Sequence, residues 1–452
     1  MRASIAEQDV DVWGRRFVII AIAGWAVGVV TSFTTALSLL TSIGFIAALA
    51  GWSKPVPGLY GVAMLATLDA LTRVYLLTGG LLRWNSFNYL MAATLLVFAG
   101  KTMRLTDIHT RILLAFMFLL GLQLAITDDR YSGLHTLLNL IAPCGILLYF
   151  ARVNYNRQCI IWIAWINGTV AALGGLVYLL QIFDLPTMNK NAWSAFPLTA
   201  LISICLAYVI SPPKQQFRLG LLALVSVAWV FLSGSRGGML VGLVCVVFLL
   251  AMTQQVRHRL SLFAVAPAIV TVILGLFSAL SDTSLQRVTM LFDSERELES
   301  RTSGRSDLYV AGWRMFQDNP LGVGTGGFGR ALSRRTDDDL VISGTELGAH
   351  SAWVQALVEN GIFGFLVIAA YVLSFAVAGF RSGVPGYFSL GLMVTLVLGG
   401  AFFSRSFHSK GLWLASAGYV ALTMYGLPLY TSVWRRKAVP LAQPLRYPVA
   451  AP

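Results

Sequence analysis

The run Ser233-Gly234-Ser235-Arg236-Gly237-Gly238 separates two apolar stretches and combines the parts of an anion site. A guanidinium grips phosphate through paired N–H groups and glycine lets a ligand approach the backbone. A helix start adds uncommitted N–H groups and the positive end of its dipole. Phosphate or diphosphate fits that set, with Ser235 and Gly237 beside the arginine; the same residues also suit a tight turn whose arginine reaches lipid headgroups. The Gly-x-Ser-x-Gly elbow of hydrolases is excluded, because position 233 is serine and no strand precedes it. Arg305, in Ser303-Gly304-Arg305-Ser306-Asp307, reads as a second anion ligand or as an ordinary surface arginine. Lys190, between Asn189 and Asn191, supplies a further cation flanked by amides. His350-Ser351-Ala352-Trp353 opens a helix, with Gln355 and Glu359 further along. The positive end of a helix dipole favours neutral imidazole, the form that accepts a proton, so His350 suits a general base; its plainer role is to cap an interface.

Other patterns point away from chemistry. Gly322, Gly324 and Gly327 match Gly-x-Gly-x-x-Gly, but neither the strand before it nor the long helix after it that dinucleotide binding needs is present, which leaves a turn for close backbone packing. Asp337-Asp338-Asp339 contains the Asp-x-Asp spacing of metal-dependent sugar transferases, yet reads as a solvated acidic loop. Asp69 and Arg73, one turn apart in an apolar stretch, read as a structural ion pair. Cys144, Cys159, Cys205 and Cys245 sit within or at the ends of apolar segments and form neither a disulfide framework nor a metal cluster. No metal or cofactor site is expected.

These residues must be held by a membrane bundle. Of 452 residues, 57% are apolar and 12% charged, and mean hydropathy is +0.72, a balance that excludes a soluble domain of this length. Segments long enough to cross a hydrocarbon core of about 30 Å are expected at 17–34, 36–52, 59–78, 86–100, 110–127, 133–150, 159–182, 192–210, 217–232, 237–252, 261–280, 354–380, 387–403 and 411–430. The fold expected is therefore an all-α integral membrane protein with about 12–14 transmembrane helices. The net charge of +13 is scattered through short loops, which argues for membrane topology rather than nucleic acid. Lys54, Lys101, Arg152, Lys214, Arg257, Arg381 and Arg435 fall in alternate loops, so both termini are expected inside and residues 281–353 outside. His109 and His258 are then expected in cytoplasmic loops. The parts are an N-terminal bundle (1–280), one long outer segment (281–353) and C-terminal helices with a tail (354–452). Within the outer segment, Ser306 to Gln317 predicts a short amphipathic helix at the membrane surface, capped by Ser306, with Tyr309, Trp313 and Phe316 on one side.

The order of these motifs resembles the O-antigen ligase and polysaccharide polymerase superfamily of bacterial membrane glycosyltransferases. The resemblance covers about 170 residues: Asn189-Lys190-Asn191, Ser233 to Gly238, Gly304-Arg305, the Asn319 to Gly324 turn, and His350-Ser351 through Glu359-x-Gly361. It implies a metal-independent inverting transfer at the periplasmic face of the inner membrane, from an undecaprenyl-diphosphate-linked glycan to an acceptor sugar hydroxyl, without a cofactor. Arg236 and Arg305 match the family's loop arginines and would neutralise the departing diphosphate; His350 matches its loop histidine and would deprotonate or orient the acceptor. Lys190, Asn191, Ser235, Gly237 and Glu359 are expected to bind the diphosphate or glycan. Lys190 resembles the lysine of a His-Lys-Asn version in some exopolysaccharide polymerases, although position 189 is Asn and Ser351 stands where many relatives have Asn. That feature tilts the expectation to polymerisation of exopolysaccharide or O-antigen repeats, in contact with membrane lipid and with other polysaccharide-assembly proteins. An O-antigen ligase acting on lipid A core is the alternative. A lipid-linked-glycan transporter is a different class, which would show paired, interrupted helices with ionisable residues near the midplane.

Overall fold

The computed structural model describes residues 7–51, 53–75, 108–152, 157–180, 190–233, 235–252, 305–334, 351–402 and 410–424. Among them, all regular structure is α-helical. The helices are α1 (Glu7–Val30), α2 (Phe33–Ala50), α3 (Pro55–Tyr75), α4 (Ile108–Gln123), α5 (Arg130–Arg152), α6 (Arg157–Leu180), α7 (Lys190–Ile210), α8 (Pro213–Leu232), α9 (Arg236–Met252), α10 (Arg305–Asp318), α11 (Phe328–Ser333), α12 (Ala352–Arg381), α13 (Pro385–Phe402) and α14 (Lys410–Met424). Twelve expected spans coincide with α1–α9 and α12–α14, whereas 86–100 and 261–280 lie outside the described residues. By length and composition, α1, α2, α6, α7, α8 and α12 can each cross a membrane. The protein is an all-α integral membrane protein.

Local chemistry sets the helix ends. The continuous apolar run from Phe17 to Trp52 is divided at Thr31–Ser32, where the Ser32 hydroxyl caps α2 by accepting the Thr35 N–H at 3.1 Å. Helix α1 starts at Glu7, ten residues before the expected 17, because its polar first turns find partners. Trp162 Nε1 donates to Asp11 at 2.8 Å, and the Arg16 guanidinium lies over the Trp13 ring at 4.9 Å.

Helix α7 is the axis of the bundle. Its Trp193–Ile210 window is wholly buried, as an all-round apolar helix requires, and it packs against α3, α6, α8, α9 and α14. The core it belongs to is continuous from Val10 to Leu422. Lipid is as apolar as leucine, so helix association inside a bilayer depends on close packing and small residues. Gly238 of α9 meets Ser194 of α7 so closely that a Cβ would stand 2.7 Å from the serine Cβ. Further along, the Cys205 thiol is 3.8 Å from the Cys245 carbonyl oxygen, so α7 and α9 run in the same direction. Asp69 is buried in α3; the side chain of its expected partner Arg73 lies outside those described.

Two local expectations are corrected. His109 is not in a loop: it is the second residue of α4, buried, with its ring stacked on Phe375 at 4.2 Å. The Ser374 hydroxyl donates to the Tyr371 carbonyl, so His109 Nδ1–H donates to Ser374 Oγ at 2.6 Å. A polar residue in a first turn becomes interior here because α12 and α14 cover it. In the segment 281–353, α10 starts at Arg305, so Ser306 lies in the first turn instead of capping it. Leu308, Ala311 and Met315 of α10 pack on Phe328 and Leu332 of α11 and on Val358 of α12. Val310 and Trp313 remain exposed, forming the apolar outer side of α10.

Candidate functional site

Helix α12 is two helices in one run. At Gly361 the backbone takes φ 64° and ψ −162°, a region open to glycine and strained for L-residues, and this divides residues 352–360 from 362–381. The second piece alone is long enough to cross about 30 Å of hydrocarbon. Broken helices in membranes persist only where the freed backbone groups find partners. Here the glycine-rich turn supplies them. The N–H groups of Val323 and Gly324 donate to the carbonyls of Val358 and Glu359, each at 2.9 Å, and Ile362 N–H donates to the Pro320 carbonyl at 3.1 Å. Gly322, Gly324 and Gly326 all have positive φ, and a Cβ at Gly324 would stand 2.6 Å from Thr127 Cα. The Gly-x-Gly-x-x-Gly match is thus a close-packing turn, as its sequence context indicates.

Side chains hold the same turn from two directions. Glu359 is 3% exposed, and its Oε2 accepts the Gly326 N–H at 2.9 Å while Gln355 Nε2 lies 3.3 Å from both carboxylate oxygens. Asn360 Nδ2 donates to Thr325 Oγ1 at 3.0 Å, and that hydroxyl donates to the Leu120 carbonyl at 3.0 Å. From α4, Gln123 Nε2 donates to the Leu321 carbonyl at 3.0 Å. After α4, Asp128 pairs with Arg334 at 2.7 Å, and its carbonyl accepts from Arg330. The turn is therefore clasped between the break in α12 and the α4–α5 connection.

The sequence motifs lie at helix starts that share one end of the bundle. Ser235 caps α9: its hydroxyl accepts the Gly238 N–H at 3.3 Å and its carbonyl accepts the Met239 N–H at 2.9 Å, so Arg236 is the first helical residue and Gly237, half-buried, follows. Lys190 and Asn191 are the first two residues of α7, directly above Trp193, whose ring lies 3.9 Å from Tyr178 and 5.8 Å from Phe33. The Gly238–Ser194 contact brings those two helix starts together. Helix α9 in turn touches the end of α13 through Val241 and Gly400. At that end of α13, Ser351, the N-cap of α12, donates to the Phe402 carbonyl at 3.1 Å, and Trp353 Nε1 donates to the Gly399 carbonyl at 2.9 Å. Helix α10, which begins with Arg305, rests through Gly312 on Val354 and Val358 of α12. Three helix starts thus share one end of the bundle, and their dipoles present positive ends there.

The side chains of Lys190, Asn191, Arg236 and Arg305 lie outside those described, as do His350 and the Asp337–Asp339 run. Because Ser351 is the cap, His350 stands one residue before it and not in the first turn of the helix. Glu359, expected to touch substrate, is engaged inside the fold by Gly326 and Gln355. Sequence reasoning did not find Asn360, Thr325, Gln123 or the Asp128–Arg334 pair. Only the density of glycines between 322 and 327 signalled that something must pack closely there.

Residues 221–369 match the family model described as O-Antigen ligase. The matched segment begins inside α8, ends inside α12 and contains α9, α10, α11, the glycine turn and His350. A comparison with curated proteins finds no match. Over residues 221–369 the chain is thus similar to the O-antigen ligase family, a match that supports the resemblance to the O-antigen ligase/polymerase superfamily.

Proposed function

We propose that the protein is a glycosyltransferase of the periplasmic face of the bacterial inner membrane, with both termini in the cytoplasm. It takes a glycan from an undecaprenyl-diphosphate carrier and passes it to a sugar hydroxyl on another lipid-linked repeat, extending an exopolysaccharide or O-antigen chain. The observation that carries this reading is the packing of the α9 start on the α7 start at the same end of the bundle where the α12 cap joins the end of α13, with α9 and that cap inside the segment that matches the O-antigen ligase family model. Positive dipole ends and the cations Lys190 and Arg236 on two of those starts match a diphosphate in charge.

The reaction is a single displacement. The acceptor oxygen attacks the anomeric carbon, and the bond from that carbon to the diphosphate oxygen breaks with its electron pair leaving on the diphosphate. The acceptor proton passes to His350, and anomeric configuration inverts. Arg236 and Arg305 neutralise the leaving group in the role a metal ion plays elsewhere, assisted by Lys190. Gly237 opens the start of α9 to the ligand, Ser235 fixes that start, and Asn191 offers amide hydrogen bonds to the glycan. The alternative acceptor is lipid A core, which would make the protein an O-antigen ligase. Purified protein in nanodiscs, given the lipid-linked repeat with EDTA present, tests both. Lengthening of the lipid-linked glycan supports the polymerase, transfer only after lipid A core is added supports the ligase, and no transfer to either refutes the transferase.

A further inference from the structure

Glu359 carries a carboxylate into the interior of the site, yet it faces the turn and not the surface. Its Oε2 accepts the Gly326 N–H at 2.9 Å, the backbone amide of Phe328 at the start of α11 also faces the carboxyl, and Gln355 on the preceding helical turn steadies both oxygens at 3.3 Å. Gly326 cannot drift to meet another partner, since at φ +78° it is pressed against the backbone of Ser132 and Gly133. The turn so fixed is the direct continuation of α10 and leads straight into α11, and Leu308, Met315, Phe328 and Leu332 join these helices to Val358 of α12. Moving Gly326 therefore moves the two helices that frame the approach to α12.

We propose that Glu359 is a positioning residue. By latching Gly326 to the break in α12 it sets the placement of α10 relative to the α12 cap, the two elements that begin with Arg305 and follow His350. The proposal rests on the transferase reading. Glu359 acts through the turn and contacts neither donor nor acceptor.

The test compares wild type with Glu359→Ala and Glu359→Gln in nanodiscs, using a lipid-diphosphate-linked repeat as donor, with amide hydrogen exchange measured on the same samples. Misplacing reacting groups by about 1 Å costs on the order of 100-fold in rate, so Glu359→Ala is expected to lose about that factor in kcat, while donor KM changes by less than about three-fold. Exchange of the 322–327 amides accelerates in that variant and the α7–α9 core stays protected. Glu359→Gln keeps an oxygen acceptor for Gly326 and is expected to restore both the protection and most of kcat. If Glu359→Gln protects the turn but is as inactive as Glu359→Ala, the carboxylate acts on substrate directly and the positioning role is overturned. Full kcat in Glu359→Ala, or loss of protection throughout the bundle with no rescue by glutamine, also overturns it. Absence of transfer by wild type counts against the transferase reading instead, and the exchange data alone then decide whether Glu359 latches the turn.

Discussion

Replacing Gly361 with alanine probes the break in α12 where its geometry is least tolerant. At φ 64° and ψ −162°, an L-residue is strained by about 1–3 kcal/mol. The new Cβ also runs into the Pro320 carbonyl and the Leu321 backbone, so the three backbone hydrogen bonds that join the turn to α12 are pushed apart. At about 1 kcal/mol each, their loss brings the local cost to roughly 4–6 kcal/mol. Gly383 is the control: its φ of 66° is similar, but a Cβ there meets nothing within 4 Å, so alanine costs only about 1–2 kcal/mol. Hydrogen exchange of the protein in nanodiscs reads the difference directly, because local opening governs amide exchange. Gly361→Ala is expected to speed exchange of residues 322–327 by at least about 100-fold, the equivalent of about 3 kcal/mol, while leaving α7 protected. Gly383→Ala leaves the turn as in wild type. Unchanged exchange in Gly361→Ala would refute the view that the glycine turn is held by the broken helix.

Gly238→Val forces two extra methyl groups and a Cβ against Ser194, which should separate α7 from α9 and cost about 1–3 kcal/mol, seen as a lower thermal midpoint; an unchanged midpoint would show that the seam is loose. The four native cysteines are all buried, so spin labels at Trp313→Cys and Asp318→Cys report on α10 selectively. The label at 313 is expected to collide with oxygen, which partitions into lipid, and the label at 318 with a water-soluble nickel chelate; the opposite pattern removes α10 from the membrane surface.

Twelve helices were legible as apolar segments because a bilayer imposes length and apolarity on each one separately, and six of them are long and apolar enough to cross it. The division at Thr31–Ser32 was visible for a similar reason, since a serine cap is a local event. The short helix after Gly304 was recovered within one residue of its ends from its polar and apolar spacing. The break at Gly361 was not legible. Glycine is common in membrane helices, and the run from Ala352 to Arg381 reads as one continuous helix until Val323, Gly324 and Pro320 are seen pairing with its backbone. Asn360, Thr325 and the Asp128–Arg334 pair were invisible for the same cause: each acquires its meaning from a partner 35 to 206 residues away. His109 was placed in a loop because its neighbours are polar, whereas α12 and α14 bury it. Residue types single out Arg236 and Lys190 as candidates, but only packing, through Gly238 against Ser194, brings the starts of their helices together.

The proposed reaction takes place at the end of the bundle that the starts of α7, α9 and α12 share. Single-turnover transfer from an undecaprenyl-diphosphate-linked repeat tests it most directly, with Arg236→Ala and His350→Ala compared with wild type after both variants are shown to be folded. Groups that stabilise the leaving charge or take the proton each contribute about 100- to 1,000-fold or more, so both variants are expected to fall by at least about 100-fold. Transfer at the wild-type rate by either folded variant would contradict the account.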